Sequence, residues 1–384
     1  MTPEQNNENI DYIGITDTEK IDETTKGGRA YLKNEKHKSK NRKKKLILKI
    51  LLILLIVIAL VMATAYGLFL AGKHQMTSLK DVEIKPPVSS EVASEEDGKT
   101  VTYKGKTYTL NENMTSILCM GIDRTELSSS NSYGANGQAD SIFVMAIDTV
   151  TGKVTIIPIN RDTLVDSNIY TESGEFAGAE KQPICLVYAN SDGGKKSCDN
   201  MMKAVSNLLY GIPIKTYYAM DLNGIGVLNS SVGGVSVTSP DTFNYFGEKY
   251  YKGETTLLNT SKRALGFVRY RDVTNLNSNT LRMKRQIIYL KAFSKTAIAK
   301  TKKNLTFPVT LYKTAKDYCF DNLNVSKITF LTTSILSSSG GSNMNFKNIE
   351  GETVSANSRA EFTPDDTSLF EIVLNTYYTE KAVN

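Results

Sequence analysis

Four arginines crowd one short region of this chain: Arg269 and Arg271 in GFVRYRD, then Arg282 and Arg285 in TLRMKRQ. A fifth, Arg161, directly follows an apolar run in PINRDT, with Asp162 beside it. Asp123 closes one apolar run (MGIDR) and Asp140 opens another (GQADS). Guanidinium groups grip phosphate oxygens through paired hydrogen bonds. Two carboxylates with no histidine nearby suit a hard cation, Mg2+ or Mn2+, which takes few protein ligands and completes its shell with phosphate and water. Each residue also has a plainer reading. Asp is common at strand ends as a turn or cap residue, Arg161 and Asp162 form a natural structural pair, and Arg282 and Arg285, three apart on a helix, make an ordinary basic face. Arg269 and Arg271 share a face if extended and diverge if helical. Several such residues near segment ends favour one shared polyanion site over separate coincidences.

Histidine narrows the chemistry further. His37 and His74 both flank the apolar segment described below, so the rest of the chain has none. Ser–His–Asp and Cys–His nucleophile systems and histidine metal sites are excluded there. Arginine with an oxygen-bound metal points to phosphoryl chemistry, in which the protein chiefly positions groups and neutralises charge.

The elements that must place these residues are readable as patterns. TSILCMGID (115–123), SIFVMAID (141–148) and KVTIIPIN (153–160) are apolar runs bounded by turn residues and predict buried strands, the last two joined as a hairpin by DTVTGK. Residues 197–211 have a helical period ending at Gly211, KTYYAMDL reads as a strand, and NGIGVLNSSVGG as a short helix stopped by Gly233–Gly234. NTSKRALGFVRY, NTLRMKRQIIYLKAFSKTAIAK, VSKITFLTTSIL and DTSLFEIVLNTYY continue as helices. The mixture predicts an α/β fold: a three-layer sandwich with a central mixed sheet flanked by helices, behind one N-terminal transmembrane helix.

That helix is Ile50 to Ala71, 22 residues without a charge. It would span roughly 33 Å, enough for a bilayer core of about 30 Å. The lysine cluster KNEKHKSKNRKKK precedes it, so the positive-inside rule predicts a cytoplasmic N-terminus and an extracytoplasmic domain. The expected organisation is a disordered basic tail (1–45), the membrane helix (46–72), a stalk or accessory segment (73–112) with a hairpin turning at Lys104–Gly105, and a domain over 113–384. The core of that domain is 113–300, with a C-terminal part over 301–384. The net charge of +6 is concentrated early: residues 1–49 hold 12 Lys/Arg against 8 Asp/Glu, leaving 34 against 32. A nearly neutral body argues against a nucleic-acid partner. Cys185 and Cys198 bracket a polar stretch that a disulfide could close, worth about 3 kcal/mol on the chain-entropy account. Cys119, within a strand pattern, reads as a buried small hydrophobe.

Taken together, ILCMGIDR, GQADSIFVMAIDTVTGKVTIIPINRDTLV, VYANSDGG, KRALGFVRYRD and TLRMKRQ resemble the LytR–CpsA–Psr family of Gram-positive cell-envelope proteins, from about Thr115 to Leu290. The resemblance implies transfer of a phosphate-linked glycopolymer (teichoic acid, capsule or another wall polysaccharide) from a polyprenyl pyrophosphate carrier to peptidoglycan. It implies that Asp123 and Asp140 hold Mg2+ and that Arg161, Arg269, Arg271 and Arg282 are catalytic and grip the pyrophosphate, with Arg285 as a further contact. The apolar interior would house the lipid tail. One position departs from the pattern: many members carry an acid three residues before the arginine matched by Arg282, and here it is Asn279. Asp272 and Asp162 are the alternative bases. A non-catalytic binder of lipid-linked precursors and a pyrophosphate hydrolase are the competing functions.

Overall fold

A computed structural model describes residues 26–77, 84–87, 92–95, 97–128, 136–272, 274, 278–339, 344–356 and 359–381. Residues 1–25 of the expected tail, and 78–83 and 88–91 of the linker, lie outside the described residues. The chain divides into two compact units, Met1–Thr64 and Ala65–Asn384.

Helix α1 runs Lys26–Met76, so it begins well inside the stretch expected to be disordered. Lysine is a good helix former, and nothing between Lys33 and Lys45 breaks the helix. Large apolar side chains from Leu46 to Tyr66 stand about half exposed or more. Such a surface has no place in water, and Lys36–Met76 is long and apolar enough to cross a membrane. The last turns, from Ala65 on, belong to the second unit. There the Phe69 ring meets Phe330 at 5.3 Å, and Gly72 lies so close to the Ser326 carbonyl that a Cβ would be 2.2 Å from it.

The second unit is built on a six-stranded sheet. Its strands are β1 (Met114–Ile122), β2 (Ala139–Asp148), β3 (Val154–Ile159), β4 (Thr216–Met220), β5 (Cys319–Asp321) and β6 (Met344–Phe346). The spatial order is β5-β4-β1-β2-β3-β6. β1–β2, β2–β3 and β4–β5 pair antiparallel, while β1–β4 and β3–β6 pair parallel. This is the mixed sheet the apolar runs predict, with its hairpin between β2 and β3.

Strand alternation divides the apolar side chains between two faces. Leu118, Met120, Ile142, Val144 and Ile157 pack against α2 (Ile184–Ala189), α3 (Lys195–Leu208) and the C-terminal helix Asp366–Tyr377. Ile117, Ile147 and Ile156 face Phe330 and Leu331 of the helix Val325–Ser339. A separate core joins α4 (Leu222–Val232), α5 (Ser261–Arg269) and α6 (Ser278–Lys303) to small hairpins through Val232, Phe243, Tyr250 and Phe267. Helices on both faces of the sheet complete three layers.

Two expectations need correction. Within the segment 73–112, residues 97–112 join the domain as an accessory element rather than a stalk, because Val101, Tyr103 and Leu110 are buried in the main core. The hairpin does turn at Lys104–Gly105, and its second strand pairs with Tyr378–Glu380 near the C-terminus. The expected Cys185–Cys198 bridge is also not formed; both thiols are free. Cys198 is wholly buried in the core under α3, whereas Cys185 is turned toward Arg161, whose Nη2 lies 3.1 Å from its sulfur. Burial pushes the Cys185 thiol up to about 11, so it stays protonated. Unfolded protein should therefore titrate four free thiols, and the melting temperature should not change on adding dithiothreitol. A reductant-dependent Tm with fewer titratable thiols would restore the bridge.

Candidate active site

The pairing of β1 with β2 is regular until Gly121↔Ser141, and then jumps to Ile122↔Ala139. Asp140 is the residue left over in this bulge. A bulge re-aims side chains, and here Asp140 and Ser141 both line the same cavity. The Asp123 N–H donates to the Gln138 carbonyl at 2.9 Å, so the two carboxylates named from sequence stand at one sheet edge.

Three further elements converge on that edge. After β3 the chain turns tightly: Thr163 N–H donates to Asn160 O (3.0 Å) and Asp162 N–H to the Asn160 side chain (3.0 Å). Phe362 N–H secures the turn from outside by donating to Asp162 O (2.8 Å). Arg161 is thereby projected at Asp140, its Nη1 donating to Oδ1 and its Nη2 to Gln138 Oε1. From the first turn of α6, Arg282 Nη1 donates to the other Asp140 oxygen at 2.8 Å. Both guanidiniums are nearly covered, with side chains 13% and 5% exposed. Burial depresses the Arg282 pKa, and the charges of Arg161 and Arg271 depress it further, against the opposing pull of Asp140. Burial is the larger cause and like charge adds to it, whereas Arg161, buried but with Cys185, Asp140 and Asp162 beside it, is shifted up.

Helix α5 stops at Arg269, and Tyr270 is already extended, so the two arginines of GFVRYRD diverge. Arg269 Nη2 pairs with Asp123 Oδ1 at 2.7 Å, both side chains about 40% exposed. A pair so exposed contributes about 0–1 kcal/mol and can open at little cost. Arg271 donates through Nε to Ser278 Oγ (3.3 Å), and among the described residues no carboxylate pairs with it. Arg161 Nε is buried without a hydrogen-bond partner, although Asp162 Oδ1 lies 3.4 Å away. The cluster thus holds guanidinium donors that the protein itself does not satisfy.

Asn279 sits at the centre of the network. Its Oδ1 accepts from Arg282 Nη2 at 2.7 Å, and its Nδ2 donates to Asn160 Oδ1 (3.0 Å) and to Asp162 Oδ2. Burial raises the Asp162 pKa, with Arg161 opposing the shift. Asp272, the other alternative base, is exposed and accepts from the hydroxyl and N–H of Thr274, which lower its pKa. It is committed to its own turn.

Arg285 is not brought to this site. It is 1% exposed and donates to Phe267 O (3.1 Å), Tyr270 O and Asp241 Oδ2 (2.6 Å). Its work is to hold the last carbonyls of α5, which fixes where Arg269 and Arg271 part. Gln138, Asn160 and the Cys185 sulfur belong to the cluster but were not read from the sequence as site residues. The only signal for Gln138 and Asn160 was closeness in sequence to Asp140 and Arg161, and Cys185, expected in a disulfide, carried none for this site.

Behind the cluster lies an apolar cavity of about 200 Å³. Asp140, Arg161 and Asn279 line it at the polar end, and Cys119, Phe143, Tyr218, Leu228, Ile287 and Leu290 farther in. The cavity separates the sheet from α4 and α6. Apart from Thr301, α6 has as buried residues only Ser278, Asn279, Arg282 and Arg285 in its first turns, while Met283, Ile287 and Leu290 remain half-buried facing the space. Small residues on the sheet (Gly121, Ser141) and flexible Met220 and Met283 leave it room.

The sequence profile of the LytR_cpsA_psr family matches residues 78–376. A polyisoprenyl-teichoic acid–peptidoglycan teichoic acid transferase TagU of Bacillus licheniformis is 29% identical over 156 residues, covering 41% of this chain and 44% of that one. The corresponding TagV of Bacillus subtilis is 32% identical over 155 residues, covering 37% and 35%. The aligned stretch thus spans less than half the length of either relative. The crystal structure of B. subtilis TagV superimposes with a TM-score of 0.53 at 26% identity, over 70% of this chain and 96% of that one. Profile, sheet topology and the order of the site segments agree: the chain belongs to the LytR–CpsA–Psr family.

Proposed function

We propose that this protein is a membrane-anchored phosphotransferase that moves a glycopolymer from a polyprenyl pyrophosphate carrier to peptidoglycan. The observation that carries the reading is the junction of two unlike surfaces. A cluster of four arginines and three aspartates adjoins an apolar cavity between sheet and helices, and its members Asp140 and Arg161 line that cavity. A polyprenyl pyrophosphate has that same division, with anionic oxygens next to a hydrocarbon tail. The activities named for the TagU and TagV relatives support the reading.

In this mechanism Arg161, Arg271 and Arg282 bind the pyrophosphate oxygens, and Arg269 swings from Asp123 to join them. An acceptor hydroxyl oxygen forms a bond to the phosphorus that carries the glycan, as the bond from that phosphorus to the bridging oxygen breaks. Polyprenyl monophosphate leaves, and the hydroxyl proton passes late to that phosphate. A loose transition state places little demand on a general base. Donors already fixed in a water-poor site favour the spreading negative charge without further reorganisation. Asp162 acts as a positioning residue here, holding Asn279 and facing Arg161 Nε.

Mg2+ (or Mn2+) fits the donor set. Among the described residues no cage of three or more His, Cys, Asp or Glu exists, but Mg2+ needs only one or two carboxylates when phosphates supply the rest. Asp123, released when Arg269 moves, and a lone pair that Asp140 keeps beside its bonds to Arg161 and Arg282 would hold it, and it would neutralise charge on the pyrophosphate. The lysines preceding the apolar part of α1 support, by the positive-inside rule, a cytoplasmic N-terminus with the domain outside.

Two experiments test this. Asp140→Ala leaves Arg161 and Arg282 facing each other without their anion, which should destabilise the protein by about 3 kcal/mol. Millimolar pyrophosphate in EDTA should then raise the Tm of the variant more than that of wild type, and equal shifts would mean that the cluster is not an anion site. Full-length protein in detergent, given Mg2+, a polyprenyl-pyrophosphate glycan and a peptidoglycan oligomer, should join glycan to the oligomer. Arg161→Ala should lower turnover by at least 100-fold, in the range of lost oxyanion donors. Free glycan phosphate alone would mean hydrolysis, and tight binding without turnover a binding module. Ile287→Trp, which fills the cavity, should slow long-chain carriers far more than short ones.

A further inference from the structure

The hairpin Phe243–Tyr245/Glu248–Tyr250 closes through the two-residue turn Phe246–Gly247. Both turn residues have positive φ, 47° and 90°. This is the turn that strongly favours Asn-Gly, and a phenylalanine at its first position is strained. Phe246 is nevertheless 80% exposed, so burial does not repay the strain. Its ring meets Tyr245 edge to face at 4.8 Å, which leaves an open aromatic face to solvent.

The base of the hairpin is rigid. Phe243 is stacked between Tyr250 (4.5 Å) and Tyr270 (4.7 Å), and Arg285 lies 4.5 Å from the Phe243 ring. Tyr245 packs against Gly266 of α5, where a Cβ would lie 2.7 Å from its ring. Gly266 therefore exists to let that ring approach. One turn further on, Arg269 reaches both Tyr245 and Asp123. Phe246 is thus one ring away from the guanidinium at the mouth of the anion site.

We propose that Tyr245 and Phe246 form a shelf that binds a sugar ring joined to, or about to be joined to, the phosphate held by the arginines. This deepens the function proposed above and rests on it. The axial C–H edges of a pyranose carry partial positive charge and settle on the negative face of an aromatic ring. A sugar is the group bonded to that phosphate on the donor side, and a sugar also carries the acceptor hydroxyl. A bilayer contact fits less well: the flanking charges are mixed, Glu248 and Glu254 with Lys249 and Lys252, rather than the basic cluster that anionic lipid attracts.

The test uses full-length protein and three probes: inorganic pyrophosphate, a short-chain polyprenyl pyrophosphate N-acetylglucosamine, and a soluble peptidoglycan glycan strand. Phe246→Asn suits the turn better, so its Tm should equal or exceed that of wild type. Its Kd for pyrophosphate should stay within twofold, while that for a sugar-bearing probe rises five- to tenfold, and Phe246→Tyr should restore binding. A loss confined to the lipid-linked probe assigns the shelf to the donor, and one confined to the strand assigns it to the acceptor. Unchanged Kd for both overturns the shelf. Reduced binding to phosphatidylglycerol vesicles without glycolipid, with both sugar probes unaffected, overturns it in favour of a bilayer contact. Failure of wild type to bind pyrophosphate would instead overturn the phosphotransferase reading, while the strand still reports on the shelf.

Discussion

The carboxylate of Asp140, gripped on one oxygen by Arg161 and on the other by Arg282, is the interaction on which the rest of the site depends. Two guanidiniums this well covered could not share one place without an anion between them. Asp140 supplies the anion from a bulge in β2, Arg161 comes from the turn after β3, and Arg282 comes from α6. One carboxylate therefore ties the sheet edge to the helix layer above it. It also leaves a set of donors arranged around a negative charge, which a substrate oxyanion can share without rearranging them.

The same tie explains how a cavity survives. An apolar space of about 200 Å³ between sheet and helices forgoes the packing contacts of a filled core, and helices normally settle until such a space is gone. Here α6 is held at its start by Asn279, Arg282 and Arg285, and its middle packs sideways onto α4 and α5 through Ile288, Tyr289 and Ala292. It has its own core to satisfy, so it need not sink onto the sheet. Leu290 and Ile287 stay over the space, and the hydrocarbon tail of the proposed carrier would gain dispersion contacts with them.

Much of this was legible in sequence because it is periodic. The apolar runs of β1, β2 and β3 mark buried strands, and Gly233 marks the end of α4, where it adopts φ 82°. The bulge was not legible. A one-residue shift in pairing leaves no trace in an alternating run, yet it decides where Asp140 points. Arg285 was misassigned for a related reason: three residues from Arg282 on a helix means neighbouring faces, and only the position of α5 shows that one faces the site and the other the end of a helix. The cysteine spacing misled because a polar loop of suitable length says nothing about where two side chains point. The stalk was misread because the strand that completes its sheet, Tyr378–Glu380, comes from the far end of the chain.

Asn279 also changes meaning once its partners are known. As a sequence feature it is a lost acid. In the structure one side of the side chain must accept from Arg282 and the other must donate to Asp162. A neutral amide does both with its fixed atoms. A carboxylate there would meet Asp162 oxygen to oxygen, and the two could coexist only by sharing a proton. With a carboxylate already at Asp162, next to Arg161, the network needs a donor at 279 rather than a second negative charge. The departure is therefore consistent with an intact site whose charge is carried by Asp162. Such a site does not need position 279 as a base, because the chemistry it is built for is controlled by where positive charge stands.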